Sequence, residues 1–104
     1  MANFITSLFG TKPNVDYGEL VHNGAIIIDV RTQGEYQMGH IKKSINIPLD
    51  TLTNNLSKFK KDKCIICCCA SGMRSASAKS ILQSRGFTEV HNGGAWTKLQ
   101  TKIS

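Results

Sequence analysis

The sequence predicts an α/β fold, in which helices flank a central, mostly parallel β-sheet. Two uninterrupted apolar runs, at 25–30 and 64–69, have the length and composition of strands that are buried on both faces. Segments with helical spacing of apolar residues lie between and after them, and strands that alternate with helices pair in parallel. At 104 residues the chain is long enough to form one core. We therefore expect a single domain over residues 14–104, preceded by a helix or tail over residues 1–13.

Polar residues, glycine and proline divide the first half of the chain into short elements. Asp16 is a suitable N-cap for a helix that Asn23-Gly24 ends. The β-branched run that follows predicts a central strand, and Pro48 ends a second strand. The predicted elements are a helix over Phe4–Phe9, a connection over Thr11–Asn14, a brief edge strand at Val15, a helix over Tyr17–His22, a strand over Ala25–Val30, a loop or short helix over Thr32–Gly39 and a strand over Ser44–Ile47.

The second half continues this alternation. Leucines at helical spacing predict a helix capped by Asp50, and a lysine-rich loop follows it. A later helix is capped by Ser75 and has Gly86 at its C′ position, while Asn92-Gly93-Gly94 predicts a turn. The predicted elements are a helix over Leu49–Leu56, a buried strand over Cys64–Cys69, a helix over Ser75–Arg85 with Ala78, Ile81 and Leu82 on its apolar face, a short strand over Glu89–His91 and a closing helix marked by Trp96, Leu99 and Ile103.

The cysteines and the chain start limit the classes of function. All four cysteines lie within the six residues 64–69, unlike a disulfide framework, which ties distant segments together. Cys64 and Cys67 have zinc-site spacing, but along a strand they point to opposite faces, so we expect no metal site there. The first residues lack signal-peptide features, and no apolar run approaches the roughly 20 residues of a membrane span. These features favour a cytoplasmic protein with no membrane partner.

The net charge of +6 suits anionic partners. Its densest cluster consists of Lys58, Lys60, Lys61 and Lys63, with Phe59 as the single aromatic residue among them. A nucleic-acid surface needs several aromatic platforms between its basic residues. We therefore interpret the cluster as a solvated loop that limits aggregation of the next strand, and we expect no nucleic-acid partner. The positive potential of the chain still attracts small anions.

The segment Cys69-Ala70-Ser71-Gly72-Met73-Arg74-Ser75 is the candidate functional site. It joins the end of a predicted buried strand to the start of a helix, which is the edge where ligands bind in α/β folds. In such a turn backbone N–H groups point inward, and the helix dipole adds positive potential. Both effects lower the pKa of a thiol, as does a nearby guanidinium such as Arg74. We therefore predict an anion-handling nucleophile at Cys69.

Four other segments of the chain, together with the loop sequence CASGMRS, form a recognisable set of motifs. The four segments are Asp29-Val30-Arg31, Glu35-Tyr36 leading to Gly39-His40-Ile41, Ser44-Ile45-Asn46-Ile47-Pro48, and Gly86-Phe87 leading to Gly93-Gly94 and Trp96. In content and order the set resembles the rhodanese family of single-domain sulfurtransferases, whose active loop is CxxGxRS. The resemblance covers roughly residues 14–100.

The resemblance implies a rhodanese-like layered domain in which Cys69 carries a persulfide. The thiolate would take a sulfane sulfur from a small donor, thiosulfate or a persulfide, and pass it to cyanide or to a thiol acceptor, which can be a protein. Arg74 would be the second catalytic residue, and neither a metal nor an organic cofactor is needed. The loop has no positive side chain before Arg74, so both donors stay open. The implied substrate-binding residues are Ala70, Ser71, Gly72, Met73 and Ser75.

Charged residues outside the loop are interpreted as structural. Persulfide transfer needs little acid or base assistance, because thiolates attack and leave unaided. This applies to Asp29, Arg31, Glu35 and His40, and we expect His22 and His91 to have ordinary surroundings. By strand alternation Cys67 should share a face with Cys69, and Cys68 should face away.

Two other functions remain alternatives. A phosphatase or arsenate reductase has five residues between its cysteine and its arginine. In this chain that spacing joins Cys68 to Arg74. The position of Gly72, third after Cys69, favours the shorter loop, which fits one sulfur better than a phosphate. The second alternative is a rhodanese-like module that binds or regulates without catalysis, although such modules usually lack the cysteine.

Overall fold

The computed structural model of the protein describes residues 15–104 as a parallel sheet between two layers of helices. The predicted α/β class is therefore confirmed, whereas the predictions for Phe4–Phe9 and Thr11–Asn14 lie outside the described residues. Within the described part, no helix is both long and apolar enough to cross a lipid bilayer. The elements are α1 (Tyr17–His22), β1 (Ile26–Asp29), α2 (Gln33–Gln37), β2 (Ile45–Asn46), a 3-10 helix (Leu49–Asn55), β3 (Ile65–Cys69), α3 (Met73–Ser84), β4 (Val90–Ala95) and α4 (Trp96–Ile103).

The four strands pair in the order β2-β1-β3-β4, and every pairing is parallel. β3 lies between β1 and β4, and all five of its residues are buried. Its carboxyl end therefore opens at the centre of the sheet edge, next to the ends of β1 and β4. This is the edge at which parallel sheets bind ligands.

The alternation of side chains along β3 divides the core in two. Cys67 and Cys69 pack in one cluster with the 3-10 helix and α3, including Leu52 and Leu82. Cys68 packs in the other, with α1 and α4. The predicted opposite orientation of Cys67 and Cys68 is thus confirmed.

Two predictions at the starts of elements are wrong. Val15 forms no strand, and its carbonyl instead accepts a hydrogen bond from the amide of Tyr17 at the start of α1. Asp50 is not an N-cap, because Pro48 fixes the chain direction so that the 3-10 helix begins at Leu49 with no side-chain cap. By contrast, the side chain of Asp16 caps α1 as predicted, accepting from the Glu19 amide at 3.0 Å.

Two further corrections affect the candidate site. Ser75 does not cap α3, because that helix begins two residues earlier, after Gly72 as N-cap. The segment Asn92-Gly93-Gly94 is not a turn but a β-bulge inside β4, where Cys67 pairs with Asn92 and Cys68 with Gly94. Both errors arise because glycines at these positions permit backbone paths that propensity alone does not indicate. The predicted C′ position of Gly86 is correct, with φ of 95° after Arg85.

A buried ion pair fixes the chain just after β1. The Arg31 guanidinium donates to both carboxylate oxygens of Asp29, at 2.9 Å from Nε to Oδ1 and 2.7 Å from Nη2 to Oδ2. It also donates to the Gly39 carbonyl at 2.7 Å and lies 4.8 Å from the centre of the Trp96 ring. A Cβ on Gly39 would lie 3.2 Å from that ring. This cluster joins three of the sequence motifs, and it supports a structural interpretation of Asp29 and Arg31.

Candidate active site

Cys69 is the last residue of β3, and the chain turns around its sulfur before entering α3. The side chain of Cys69 is 0% exposed. Gly72, with φ of 99°, adopts the left-handed conformation that reverses the chain over the thiol. The segment between strand and helix therefore forms a tight loop with the sulfur at its base, as the sequence predicts.

Backbone and side-chain groups of the loop converge on the Cys69 sulfur. The amide of Gly72 donates to Sγ at 2.9 Å, and the amide of Ser75 donates at 3.4 Å. The Ser75 hydroxyl lies 3.4 Å from the same sulfur. These are groups that stabilise a thiolate more than a thiol, because they place positive partial charge next to the sulfur.

The pKa of Cys69 is consequently shifted in the direction opposite to that of its neighbours. Burial works to raise the pKa of Cys69, but contacts from the Ser75 hydroxyl and amide and from the Ser71 and Gly72 amides outweigh burial and lower it. Burial raises the pKa of Cys67 to about 12 and also raises the pKa of Cys68. Among the three adjacent cysteines, Cys69 is the one whose surroundings favour the nucleophilic form.

Asn92 ties the Ser75 hydroxyl to the bulge of β4. That hydroxyl donates to Asn92 Oδ1 at 2.6 Å, and the Gly94 amide donates to the same oxygen at 2.9 Å. The amide nitrogen of Asn92 donates to the Gly72 carbonyl at 3.2 Å. Because Ser75 has one hydroxyl proton and Asn92 is the nearer acceptor, the backbone amides carry more of the interaction with the sulfur than the hydroxyl does.

The bulge lets β4 approach the loop closely. A Cβ on Gly93 would lie 2.9 Å from side-chain atoms of Ile66 and Leu99, so that position has no room for a side chain. A Cβ on Gly72 would lie 3.4 Å from the Gly94 Cα. The glycines thus allow Asn92 to reach the loop, which the sequence prediction of a turn did not anticipate.

Arg74 lies in the first turn of α3, and its guanidinium is bound to Glu35 of α2 rather than to the Cys69 sulfur. The two hydrogen bonds are 2.7 Å from Nη1 to Oε1 and 2.9 Å from Nη2 to Oε2. The Arg74 hydrogen bonds, followed by the bond from the Thr32 amide, lower the pKa of Glu35 to about 2. Both side chains are more than a third exposed, which places the pair at the rim of the loop.

The remaining loop residues line the opening. Ala70 and Ser71 are exposed, and Met73 projects outward with 77% of its surface accessible. Ser71, Gly72 and Met73 line an open cleft together with Lys98 and Lys102 of α4. The structure therefore brings positive side chains to the loop from a helix that the sequence prediction did not connect with it.

Sequence reasoning missed Asn92, Lys98 and Lys102. A polar residue beside the end of the neighbouring strand was a usable signal for Asn92, once its segment is read as a strand. The two lysines are four residues apart and so share one face of α4. Nothing in the sequence shows that this face meets the loop, because the packing of α4 on the sheet decides it.

Comparisons with known proteins agree with this geometry. A sequence profile of the rhodanese-like domain matches residues 15–99. Thiosulfate sulfurtransferase PspE of Escherichia coli K12 is 38% identical over 69 residues, which are 64% of this chain and 66% of PspE. YqhL of Bacillus subtilis is 37% identical over 80 residues, 76% of this chain and 64% of YqhL. This chain thus spans slightly less than two thirds of either relative.

A solved structure gives the same result for the fold. The rhodanese-like domain protein from Staphylococcus aureus superimposes with a TM-score of 0.67 and 30% identity, over 93% of this chain and 83% of that protein. The profile match covers the sheet, the loop after β3 and the residues around the Asp29–Arg31 ion pair. This chain belongs to the rhodanese-like domain family.

Proposed function

We propose that the protein is a sulfurtransferase in which Cys69 carries the transferred sulfur as a persulfide. The observation that carries the proposal is the convergence of loop N–H groups on the Cys69 sulfur, with Gly72 N at 2.9 Å. Such an arrangement stabilises an anionic sulfur and leaves little room for a larger group. The similarity to PspE, which is named a thiosulfate sulfurtransferase, supports the same chemistry.

In the first step the Cys69 thiolate attacks the sulfane sulfur of the donor. A bond forms between Sγ and that sulfur while the bond between the sulfane sulfur and the rest of the donor breaks. With thiosulfate, sulfite leaves with the electron pair. With a persulfide donor, a thiolate leaves. The product is a Cys69 persulfide anion, whose outer sulfur takes over the hydrogen bonds of the loop amides.

In the second step an acceptor removes the outer sulfur. A thiolate or cyanide attacks it, the bond between the two sulfur atoms of the persulfide breaks, and Cys69 leaves as the thiolate. The products are an acceptor persulfide or thiocyanate. The sulfur atom itself carries the oxidising equivalents from donor to acceptor, so the two steps balance without an external oxidant, reductant, metal or organic cofactor.

The cleft beside the loop supports an anionic substrate. Ser71 and Met73 of the loop line this cleft, Met73 adds an exposed apolar side chain, and Lys98 and Lys102 supply positive charge in addition to Arg74. Arg74, in the first turn of α3, adds a partly exposed cation that is paired with Glu35. We infer that these groups hold the charged part of a thiosulfate or thiol substrate while its sulfur enters the loop.

The position of Cys68 argues against a phosphatase. Its side chain is buried in the cluster with α1 and α4, on the face of the sheet opposite to Cys69. Its pKa is raised by burial. A phosphatase that used Cys68 would need this sulfur inside the loop.

Mass spectrometry of the intact protein tests the proposal. After incubation with thiosulfate or a persulfide donor, the protein should gain about 32 Da, and subsequent addition of cyanide should remove it, because a persulfide is attacked by nucleophiles. The Cys69→Ser protein should not gain the mass. Cys68→Ser is the matched control, since it changes an adjacent thiol on the other face, and it should behave like the unchanged protein.

Three results would contradict the proposal. Sulfur uptake by Cys69→Ser but not by Cys68→Ser would show that Cys68, and not Cys69, carries the sulfur. No uptake from either donor, together with hydrolysis of a phosphate ester, would favour the phosphatase. If no chemistry occurs and the chain only binds other molecules, the non-catalytic module is correct.

A further inference from the structure

Three side chains of types that bind metal ions lie together at the end of β3 opposite to the candidate active site. Within residues 15–104, Cys64 Sγ, a carboxylate oxygen of Glu89 and a ring nitrogen of His91 all lie within 4.8 Å of one another. Cys64 immediately precedes β3, and Glu89 immediately precedes β4. Five residues at the rise of a strand separate Cys64 from Cys69, which corresponds to about 16 Å. The two sites are therefore distinct.

The sheet register brings these three side chains together. Ile65 pairs with Val90, so Cys64 and Glu89 lie side by side just before this pair. The amide of Ile65 donates to the Glu89 carbonyl at 3.0 Å, which holds the starts of β3 and β4 together at this point. Glu89, one residue before β4, and His91 within it lie on the same side of the sheet, because alternate residues of an extended chain point the same way. The grouping thus follows from the pairing of two strands and not from flexible loops.

The distances suit a tetrahedral zinc ion. His91 Nε2 lies 3.4 Å from Glu89 Oε2. Tetrahedral coordination with Zn–N and Zn–O bonds of about 2.0 to 2.1 Å separates the two ligand atoms by about 3.4 Å. The sulfur would have to lie about 3.6 Å from each of them, and because all three atoms lie within 4.8 Å of one another, it has to move inward by roughly 1 Å at most. The side chain of Glu89 is 49% exposed and can adjust.

The charge around the group favours a cation. Glu89 and a Cys64 thiolate supply two negative charges. The adjoining crevice is also lined by Asp62 and Lys63, whose opposite charges add no net charge. From α1, the Tyr17 ring packs against the His91 ring in a T-shaped arrangement, with 6.3 Å between the ring centroids. The crevice beside Cys64 and Glu89 leaves access for water as a fourth ligand.

We propose that Cys64, Glu89 and His91 form a zinc-binding site with water as the fourth ligand. Zinc binds thiolate, imidazole and carboxylate ligands, whereas magnesium and calcium bind oxygen ligands. The thiolate and the imidazole therefore favour zinc over these harder ions. Binding releases the Cys64 thiol proton to the solvent and links the starts of β3 and β4. The proposal does not depend on sulfur transfer at Cys69.

Cobalt(II) serves as the spectroscopic probe for this site. The titration uses the full chain with Cys69→Ser, so that the reactive thiol does not contribute. We expect one equivalent of Co²⁺ to produce a thiolate charge-transfer band and the visible bands of tetrahedral cobalt, and Zn²⁺ to remove them. Zn²⁺ should also raise the midpoint of thermal unfolding, since it binds the native state.

Variants in the same background identify the ligands. Adding Cys64→Ser should abolish the charge-transfer band, and His91→Ala should weaken cobalt binding by at least about tenfold. His22→Ala is the matched control, because it removes an exposed histidine outside the group, and it should leave the titration unchanged. Circular dichroism should show that each variant is folded. A missing charge-transfer band in the parent, a band that survives Cys64→Ser, or equal effects of His22→Ala and His91→Ala would overturn the proposal.

Discussion

Cys64 and Cys69 stand at the two ends of the same strand, yet their thiols have opposite properties. Burial, then the Glu89 carboxylate, raise the pKa of Cys64 to about 11. Cys69 is the more deeply buried of the two, and its pKa is nevertheless lowered. Neither the residue type nor the degree of burial explains the difference. What differs is the set of groups that face each sulfur: the Ser75 hydroxyl and the loop amides at Cys69, and a carboxylate at Cys64.

At the carboxyl end of β3 the chain turns into α3, and the amides of Gly72 and Ser75 point at the sulfur. At the amino end the Cys64 carbonyl is used in pairing with β1, where it accepts from the Ile26 amide. The group that faces the Cys64 sulfur is a carboxylate. In a parallel sheet the ends of a strand are thus chemically unequal: one suits an anion and the other, with acidic side chains, suits a cation.

The strongest test of this comparison removes each thiol in turn. Cys69→Ser should reduce sulfur transfer by at least about a thousandfold, because the covalent intermediate can no longer form. Cys64→Ser, at the other end of the strand, should change it by less than about twofold, since it lies far from the reacting sulfur. The measurement is the steady-state rate of thiocyanate formation from thiosulfate and cyanide. Equal losses in the two variants would mean that the ends of β3 are not functionally distinct.

The second test displaces the loop backbone while retaining the thiol. Gly72→Ala introduces a Cβ at φ of 99°, next to the Gly94 Cα at 3.4 Å. We expect a loss of roughly 1 to 2 kcal/mol in the free energy of unfolding from the left-handed strain. Sulfur transfer should fall by about ten- to a hundredfold, because the amide that contacts Sγ at 2.9 Å moves away.

Gly34→Ala is the matched control for Gly72→Ala. Gly34 lies in α2, a Cβ there meets nothing within 4 Å, and its φ is not in the left-handed region. This substitution should stabilise the protein by roughly 0.5 to 1 kcal/mol or leave it unchanged, and it should preserve activity. Chemical denaturation and the thiocyanate assay measure both variants. If Gly72→Ala keeps full activity, the loop amides are not what activates the thiol.

The sequence predicted the sheet, the loop and the orientation of the three cysteines because these depend on local pattern. The apolar run over β3 and its alternation determine which sulfur faces the loop, and the spacing of Gly72 from Cys69 identifies the turn. The parallel pairing follows from the alternation of strands with helices. Such features require no knowledge of how distant segments pack.

The parts that the sequence did not predict depend on contacts between distant segments. Asn92 reaches the loop only because β4 bulges at Gly93, and Glu89 meets Cys64 only through the register of β3 and β4. Arg74 was predicted from its nearness in sequence to act on Cys69, whereas packing of α2 against the loop gives it Glu35 as its partner. Pairwise register and helix placement cannot be read from one sequence by periodicity.

A smaller effect is expected from the hydroxyl of Ser75. The rate of persulfide formation should rise with pH through the pKa of Cys69 and level off at a lower pH than for an ordinary cysteine, because the thiolate is the reactive form and its pKa is lowered. Ser75→Ala removes the hydroxyl and keeps the amide, so the profile should move to higher pH. The rate should decrease by roughly two- to fivefold at pH values below the pKa of Cys69 and stay nearly unchanged on the plateau above it.

Stopped-flow measurements from pH 5 to pH 9 would record this profile. Asn92→Ala separates the hydroxyl from the anchor that holds it, since Asn92 accepts the Ser75 proton at 2.6 Å. Loss of Asn92 frees that proton for the thiolate but also loosens the Gly72 carbonyl. A shift to lower pH would show that the hydroxyl then donates to sulfur. An unshifted profile in Ser75→Ala would leave the backbone amides as the cause of the lowered pKa.

The smallest effect should come from the rim pair, where side-chain charge rather than the backbone acts. Arg74→Ala should raise the KM for thiosulfate by about threefold or less, because the guanidinium is exposed and already neutralised by Glu35. Glu35→Gln leaves Arg74 unneutralised, so the KM should fall by a similar factor, and both changes should shrink at high salt as the charges are screened. Steady-state kinetics at two ionic strengths measure this.

Because no hydrogen bond joins Arg74 to the Cys69 sulfur among the described contacts, the pH profile of persulfide formation should be the same in both variants. A profile moved to higher pH in Arg74→Ala would show that the guanidinium activates the thiol directly, and the distinction between the two ends of β3 would then rest on a side chain as much as on backbone direction.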